Sequence, residues 1–249
     1  MRPWYETAFK TDYLDRYPHR NDEEARLDIE AVIALIDPPR DEPILDLGCG
    51  AGRHLIALYA AGYRQLTGLD LSEELLAIAR RRTREAGCKG VEFTHADMRR
   101  IPYEGRFGTI LSMFTSFGYF ATDEQDAQVL RGAHGALRPR GRLLIDTIAR
   151  TATIANLVSE EEQERNGESA RIHRALSQDG RRVEKITRIV SSEGESVYRE
   201  SVRLYTPADL RSMFRAAGFV DIQTWGSLRG EPLGPTSPRL VMAGRREAG

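Results

Sequence analysis

Lysine is almost missing from this sequence: only Lys10, Lys89 and Lys185 stand among its 36 lysines and arginines. With 37 acidic residues the formal net charge is −1, so no overall basic field exists to hold nucleic acid by counterion release. The arginine bias itself is given no functional weight. Cysteine is as scarce. Cys49 and Cys88 cannot build a disulfide framework, and no C-x-x-C or Cys/His cluster suggests a bound metal. Long apolar runs are lacking too, since runs such as Leu143–Ile145 fall far short of the ~20 residues that span a bilayer. The start, MRPWYETAFK, does not have the charged-then-apolar pattern of a signal peptide. These absences predict a cytoplasmic protein with no metal, no membrane and no nucleic-acid partner.

What remains is globular. The 249 residues are 41% apolar and 29% charged, enough for one α/β domain of about 200 residues with embellishment. Asn21–Ile36 reads as a helix, with Asp22, Glu23 and Glu24 where a helix N-terminus favours negative charge, ended by Asp37-Pro38-Pro39. Strands follow at Ile44–Leu47, Leu66–Leu69, Val91–Thr94, Thr109–Met113 and, after the turn Arg138–Gly141, Arg142–Thr147. Helices at Arg53–Ala61, Ser72–Glu85 and Asp123–Leu137 separate them. This alternation predicts a doubly wound, mostly parallel seven-stranded sheet with helices on both faces. Right-handed crossovers put the strand C-termini along one edge.

After Thr147 the rhythm changes. Thr151–Arg165 reads as a helix, with Glu160–Glu162 as a solvated face. Three runs of polar–apolar alternation, Ala170–Leu176, Val183–Val190 and Val197–Tyr205, predict an antiparallel β insertion after the fifth strand. Thr206-Pro207-Ala208-Asp209 starts a helix to Gly218, and strands at Val220–Trp225 and Leu240–Gly244 close the fold. The expected organisation is an N-terminal lid and helical segment over 1–40 and one main domain over 41–249, with the insertion at 169–205.

The informative stretch is Ile44-Leu-Asp-Leu-Gly-Cys-Gly-Ala-Gly-Arg-His54, where a buried strand turns through Gly48, Gly50 and Gly52 into a helix. Glycines let backbone approach a ligand closely, and a helix N-terminus presents free N–H groups. A tight turn with no ligand has the same look, so the stretch gains meaning only with its neighbours. Asp70 stands at the tip of the second strand, 18 residues after Gly52. A carboxylate there can accept hydrogen bonds from both hydroxyls of a ribose, although a turn aspartate would also sit there. Asp97 stands at the tip of the third strand, where it can accept from an adenine amino group while Met98 packs on the ring. Alone it would read as a loop aspartate.

DLGCGAGRH, then GLDLS, then HADM, then a fourth strand ending SMFTSFGYF resemble the class I (Rossmann-like) S-adenosylmethionine-dependent methyltransferases, of the small-molecule N/O-methyltransferase type. The resemblance covers roughly Pro43–Thr147, and YTPADLRSMFRAAGF is consistent with the same fold. It implies S-adenosyl-L-methionine as cofactor and transfer of its methyl group to an amine or hydroxyl of a small molecule by in-line displacement. The implied cofactor contacts are Asp46 and the glycine loop (Gly48, Cys49, Gly50, Gly52) beside the methionine portion. Asp70 with Leu71 would hold the ribose, and Asp97 with Met98 the adenine. Met113 and Phe114 would lie near the transferring methyl, and His54 is the histidine expected nearest the cofactor, whereas His95 is expected to point away. Trp4-Tyr5-Glu6-x-x-Phe9-x-x-x-Tyr13 resembles a lid helix, by which Tyr5 and Tyr13 would touch the cofactor or merely dock the helix. Arg20 would pair with the methionine carboxylate or lie on the surface.

For the acceptor the candidates are Phe117, Tyr119, Arg203 and Tyr205. Aromatic faces suit a cationic sulfonium, and the Tyr119 hydroxyl can orient a nucleophile as the one candidate catalytic group. For Phe117 and Phe120 core packing is an equal alternative. Two other readings stand beside this one. A nicotinamide-dependent oxidoreductase would carry G-x-G-x-x-G, but the spacing here is G-x-G-x-G followed by Arg53. A non-catalytic S-adenosylmethionine-binding protein would keep the same cofactor carboxylates. No Asp/Asn-Pro-Pro-aromatic turn follows the fourth strand, as nucleic-acid amino-methylation would want. The acceptor is therefore expected to be a small molecule, bound by a monomer or homodimer.

Overall fold

In the computed structural model, residues 3–9, 21–165, 168–191 and 194–248 are described. A short helix, α1 (Tyr5–Ala8), leads the chain, and α2 (Asp22–Ile36) begins at the Asn21 cap, whose side chain accepts from the Glu24 N–H at 2.9 Å. Then β1 (Ile44–Leu47), α3 (Arg53–Ala60), β2 (Leu66–Asp70), α4 (Glu73–Glu85), β3 (Glu92–His95) and β4 (Phe107–Ser112) alternate. They are followed by α5 (Asp123–Ala136), β5 (Leu137–Ile148) and α6 (Arg150–Ala155).

The main sheet has seven strands in the order β10-β11-β5-β4-β1-β2-β3, where β10 is Phe219–Trp225 and β11 is Arg239–Arg246. Strands β1 to β5 pair in parallel, and β11 alone pairs antiparallel with both its neighbours. Strand β1 is buried along its whole length, as a central parallel strand must be. Alternation sends Leu45 and Leu47 into the core beneath α5 and α7 (Pro207–Ala216), with Phe107, Leu130 and Phe214. Ile44 goes to the opposite core with Ile29 of α2 and Leu55 and Leu58 of α3. The strand order reverses between β1 and β4, so the strand C-termini open a crevice there.

A second, four-stranded antiparallel sheet follows β5: β6 (Glu160–Arg165), β7 (Glu168–Leu176), β8 (Arg182–Ser191) and β9 (Gly194–Arg203). Its first strand corrects the helix expected over Thr151–Arg165, which is helical only over Arg150–Ala155. Glu160–Glu162 are helix-compatible, but pairing with β7 overrides that preference. It sets Glu160 against His173 (2.6 Å), Glu161 against Arg174 (2.8 Å) and Glu162 against Arg171 (2.8 Å). The turn expected before the fifth strand lies within β5: Phe107 pairs with Leu137 and Thr109 with Arg142, so residues 138–141 bulge, with Arg140 at φ 67°.

The second sheet is tied to the main one by buried charge. The Arg182 guanidinium donates to the carbonyls of Phe120 (2.9 Å), Gly118 (3.2 Å) and Ser201 (2.9 Å). Arg203, buried where Arg182 is only half-buried, pairs with Asp123 at the start of α5 (2.8 Å). The Tyr205 hydroxyl donates to Asp126 at 2.7 Å. Burial pushes the Asp126 carboxyl up to about 6, against the pull of that hydrogen bond and of Arg182. Tyr205→Phe strips a fully buried carboxyl of this partner and is expected to cost about 1–3 kcal/mol in urea unfolding. A loss under ~0.5 kcal/mol would show that the network does not hold the two sheets together.

Candidate active site

The crevice at the switch point holds a cleft of about 1080 Å³, part of it open to solvent. Its floor is the turn after β1. Gly48 (φ 80°) and Gly50 (φ 50°) adopt left-handed backbone that side chains disfavour. A Cβ on Gly48 would also stand 2.9 Å from the Ser116 Cβ. The turn is therefore a bare backbone cradle. Gly52 is different: it does not line the cleft but lets α3 pack on α4, where an added Cβ would meet Ala79 at 3.1 Å.

Two carboxylates lie at the strand ends. Asp70 accepts from the Gly50 N–H and the Ser72 N–H, both at 2.8 Å, which locks it toward the turn. Burial still raises its pKa, with those N–H groups opposing. Asp46 does not reach the cleft surface. It is buried behind the turn with Oδ2 lacking any partner among the described residues. Its pKa is pushed up to about 6, chiefly by burial, with His54 pulling it down and Asp70 adding to the rise. An orphaned carboxylate oxygen behind a glycine cradle fits a ligand that brings a positive charge to this end. His54 lines the cleft and is buried, its Nε2 3.5 Å from Asp28 Oδ2 without a hydrogen bond. Burial pushes the Cys49 thiol well up, so it serves as wall rather than as nucleophile.

Leu71, Asp97 and Met98 line the far end of the cleft. Burial works against ionisation of Asp97, but hydrogen bonds from Arg99 prevail and hold it below the usual carboxylate range. His95, by contrast, is exposed and bonds the Leu71 carbonyl at 2.8 Å. Met113, Phe114, Tyr119 and Phe120 form the wall beyond β4, and Tyr5 and Phe9 of the N-terminal segment close over it. Phe9 stacks on Tyr119 with ring centroids 5.4 Å apart, and Tyr5 meets Phe120 edge-on at 5.2 Å. Tyr13 and Arg20 lie outside the described residues.

A second cavity adjoins the first and shares Phe9, Phe114 and Tyr119 with it. Thr115, Ile148, Leu157 and Val202 line it together with the charged Glu161, Arg174, Lys185, Glu200 and Arg239. Three expected acceptor contacts are corrected here. Phe117, Arg203 and Tyr205 line neither cavity. Phe117 packs against the Tyr205 ring in the core, and Arg203 and Tyr205 are consumed by Asp123 and Asp126.

Sequence reasoning missed Asp146 and Arg239. Asp146, on β5, accepts from the Phe114 N–H at 3.0 Å through its side chain and from the Thr115 N–H at 2.8 Å through its carbonyl. Those contacts hold Phe114 and Thr115 at φ 56° and 64°, a costly conformation for a β-branched residue. Arg239 pairs with Asp146 (2.7 Å) and lies over the Phe114 ring. The available signal was a lone acid in the apolar strand Leu143–Ile148. Among the described residues no His, Cys, Asp and Glu side chains gather as a metal site.

Comparison with known proteins agrees with this geometry. Residues 44–141 match the family described as "Methyltransferase domain". The chain is 27% identical to a dTDP-3-amino-3,4,6-trideoxy-α-D-glucopyranose N,N-dimethyltransferase of Streptomyces venezuelae, over 72% of this chain and 76% of that one. It is 38% identical to a dTDP-3-amino-3,6-dideoxy-α-D-glucopyranose N,N-dimethyltransferase of Streptomyces fradiae over 43% of this chain, a match that spans only 40% of that relative's length. In fold it is similar to an S-adenosylmethionine-dependent methyltransferase of Clostridium acetobutylicum, with a TM-score of 0.80 at 14% identity, covering 95% of this chain and 96% of that one.

Gly48→Ala should destabilise the chain by about 1–3 kcal/mol in thermal unfolding, through a strained φ and the contact with Ser116. Adding Ser116→Gly, which removes that Cβ, should recover part of the loss. Unchanged stability in the single variant would show that the cradle is not sterically closed.

Proposed function

We infer, from the match of residues 44–141 to a methyltransferase domain and a fold similar to that of an S-adenosylmethionine-dependent methyltransferase, that the chain methylates an amine or hydroxyl of a polar small molecule. The observation that carries this reading is the meeting of two cavities at Phe114 and Tyr119, one floored by the glycine cradle and one walled by charged side chains. A nicotinamide-dependent oxidoreductase loses its support with the match of residues 44–141 to methyltransferases. A merely binding protein would have no use for the second cavity.

The cofactor, when bound, supplies an electrophilic methyl group on a positively charged sulfur. In this reading the glycine cradle takes the amino-acid end, with the buried Asp46 acting on it through charge from behind the turn, Asp70 accepts from the ribose hydroxyls, and Asp97 with Met98 receives the adenine. The faces of Phe114 and Tyr119 suit a delocalising positive charge. Phe9 and Tyr5 exclude water above them. Holding the acceptor in line across this junction contributes through orientation, which suits a site whose nearby carboxylates, Glu161 and Glu200, are engaged in ion pairs. The Tyr119 hydroxyl orients the acceptor atom.

The acceptor enters the second cavity. Its wall pairs Glu161 with Arg174 and Lys185 with Glu200, offering donors and acceptors side by side. That lining suits a hydroxyl-bearing amine such as an amino sugar, the type of compound named for the two Streptomyces relatives, and it favours N- over O-methylation. Nucleic acid is not the substrate in this reading, since the formal charge is −1. Among the described residues no helix is long and apolar enough to cross a membrane. We place the protein in the cytoplasm, as a monomer or homodimer.

Incubation with labelled S-adenosylmethionine and a panel of small amines, dTDP-3-amino sugars included, should transfer label to an amine. Transfer only to apolar quinones would overturn the acceptor class. Asp70→Ala should weaken S-adenosylmethionine and S-adenosylhomocysteine at least about tenfold by calorimetry, as loss of hydrogen bonds to a charged group implies. Unchanged affinity would refute the ribose contact. Affinity should also depend on pH through Asp46. Its folded pKa of about 6 lies above the ordinary value, so in the free protein its contribution to stability is lost as pH rises through about 6. A ligand ammonium favours the ionised form, so affinity should increase from about pH 5 to about pH 7. Asp46→Asn should flatten that rise, and an unaltered profile would show that the Asp46 charge does not act on the ligand.

A further inference from the structure

We propose that Arg99 is a positioning residue that latches the N-terminal helix α1 to the adenine-side carboxylate Asp97, so that closing α1 and holding the cofactor become one event. The proposal rests on reading the first cleft as the adenosyl site.

Arg99 grips Asp97 in two ways. Its backbone N–H donates to Oδ1 at 2.8 Å, and its Nε reaches both carboxylate oxygens at 3.1 and 3.0 Å. Nη2 adds a bond to Oδ2 at 2.5 Å. A carboxylate offers about four acceptor sites; three donors, with Nε shared between both oxygens, fix the plane of Asp97 and leave about one site toward the cleft. The side chains are only 23% and 24% exposed, which shields the pair from much of the screening that makes surface ion pairs weak.

The same guanidinium reaches the lid. It lies over the Phe120 ring at 4.4 Å from the centroid and near the Tyr5 ring at 5.9 Å. Burial raises the pKa of the Tyr5 hydroxyl, and the nearby Arg99 charge opposes that rise. Helix α1 has four residues, far too few to persist alone. Aromatic contacts therefore hold it in place: Tyr5 on Phe120 and Trp4 on Tyr119, the latter at 4.9 Å. Arg99 is the group that joins this aromatic cluster to a carboxylate lining the cleft. Stacking on rings while forking onto a carboxylate requires a planar guanidinium, and lysine cannot do both. A ligand that binds Asp97 then favours the docked lid, and the docked lid favours the ligand by the same factor.

The test uses the full-length chain with Trp225→Phe, which leaves Trp4 as its one tryptophan. Calorimetry and stopped-flow emission follow the binding of S-adenosylhomocysteine. Binding should change Trp4 emission. Arg99→Ala should weaken binding about tenfold, mainly through faster dissociation, and abolish the emission change; Arg99→Lys should behave alike. Tyr5→Ala should lose about as much, and the Arg99→Ala/Tyr5→Ala double variant no more than either single one. Arg99→Gln replaces Arg99→Ala if circular dichroism shows that the latter does not fold. Binding within about twofold of the parent, or losses that add in the double variant, would overturn the latch while leaving the cofactor reading intact. A folded parent that does not bind S-adenosylhomocysteine would overturn both.

Discussion

Two carboxylates stand at the C-terminal ends of adjacent parallel strands, Asp46 fully buried and Asp70 half-buried at the cleft, and the rest of the site is arranged around the cost of keeping them there. Asp70 is tolerated because backbone N–H groups of Gly50 and Ser72 point at it. Gly50 can do so only from left-handed backbone. Asp46 has no such help for Oδ2 and sits at an elevated pKa. A charge buried without its partner is a standing demand for one. The glycine cradle leaves room above the pair, so the demand falls on whatever enters the cleft. In the proposed reading this suits a ligand with positive charge at one end and hydrogen-bond donors beside Asp70.

The second cavity is built by other means. Here the second sheet reaches back to the main one. Arg182 collects the Gly118 and Phe120 carbonyls, and Arg203, Asp123, Tyr205 and Asp126 knit the adjoining elements. The loop they grip carries Tyr119, which lines both cavities. On the other side of that junction Asp146 holds Phe114 and Thr115 in left-handed backbone. Groups at the junction are therefore fixed from two independent sheets, the rigidity that orientation by a protein requires.

The parallel core was legible because each element carries its own signal. Asp22–Glu24 and Thr206-Pro207-Ala208-Asp209 mark helix starts, β1 is an apolar run broken by one acid, and Gly48-x-Gly50 announces a turn without side chains. The cofactor-side candidates Asp70, Asp97, Met98, Met113 and Phe114 share one cleft because parallel strands end on one edge. Long-range contacts were not legible. Strand β6 has a helix-compatible composition and becomes a strand through pairing with β7. Arg203 and Tyr205 promised polar contacts at the end of a strand, but which acid they would meet depends on where α5 packs. Asp146 looked like an incidental polar residue, since the backbone it restrains lies 32 residues earlier in the chain.

The account stands on the cleft preferring an adenosyl sulfonium-type ligand over a dinucleotide. Calorimetry of the folded chain with S-adenosylhomocysteine and with NAD, under the same conditions, tests this most directly. One site with micromolar or tighter affinity for S-adenosylhomocysteine and no measurable heat with NAD is the predicted result. Equal affinity for both, or binding of NAD alone, would contradict it.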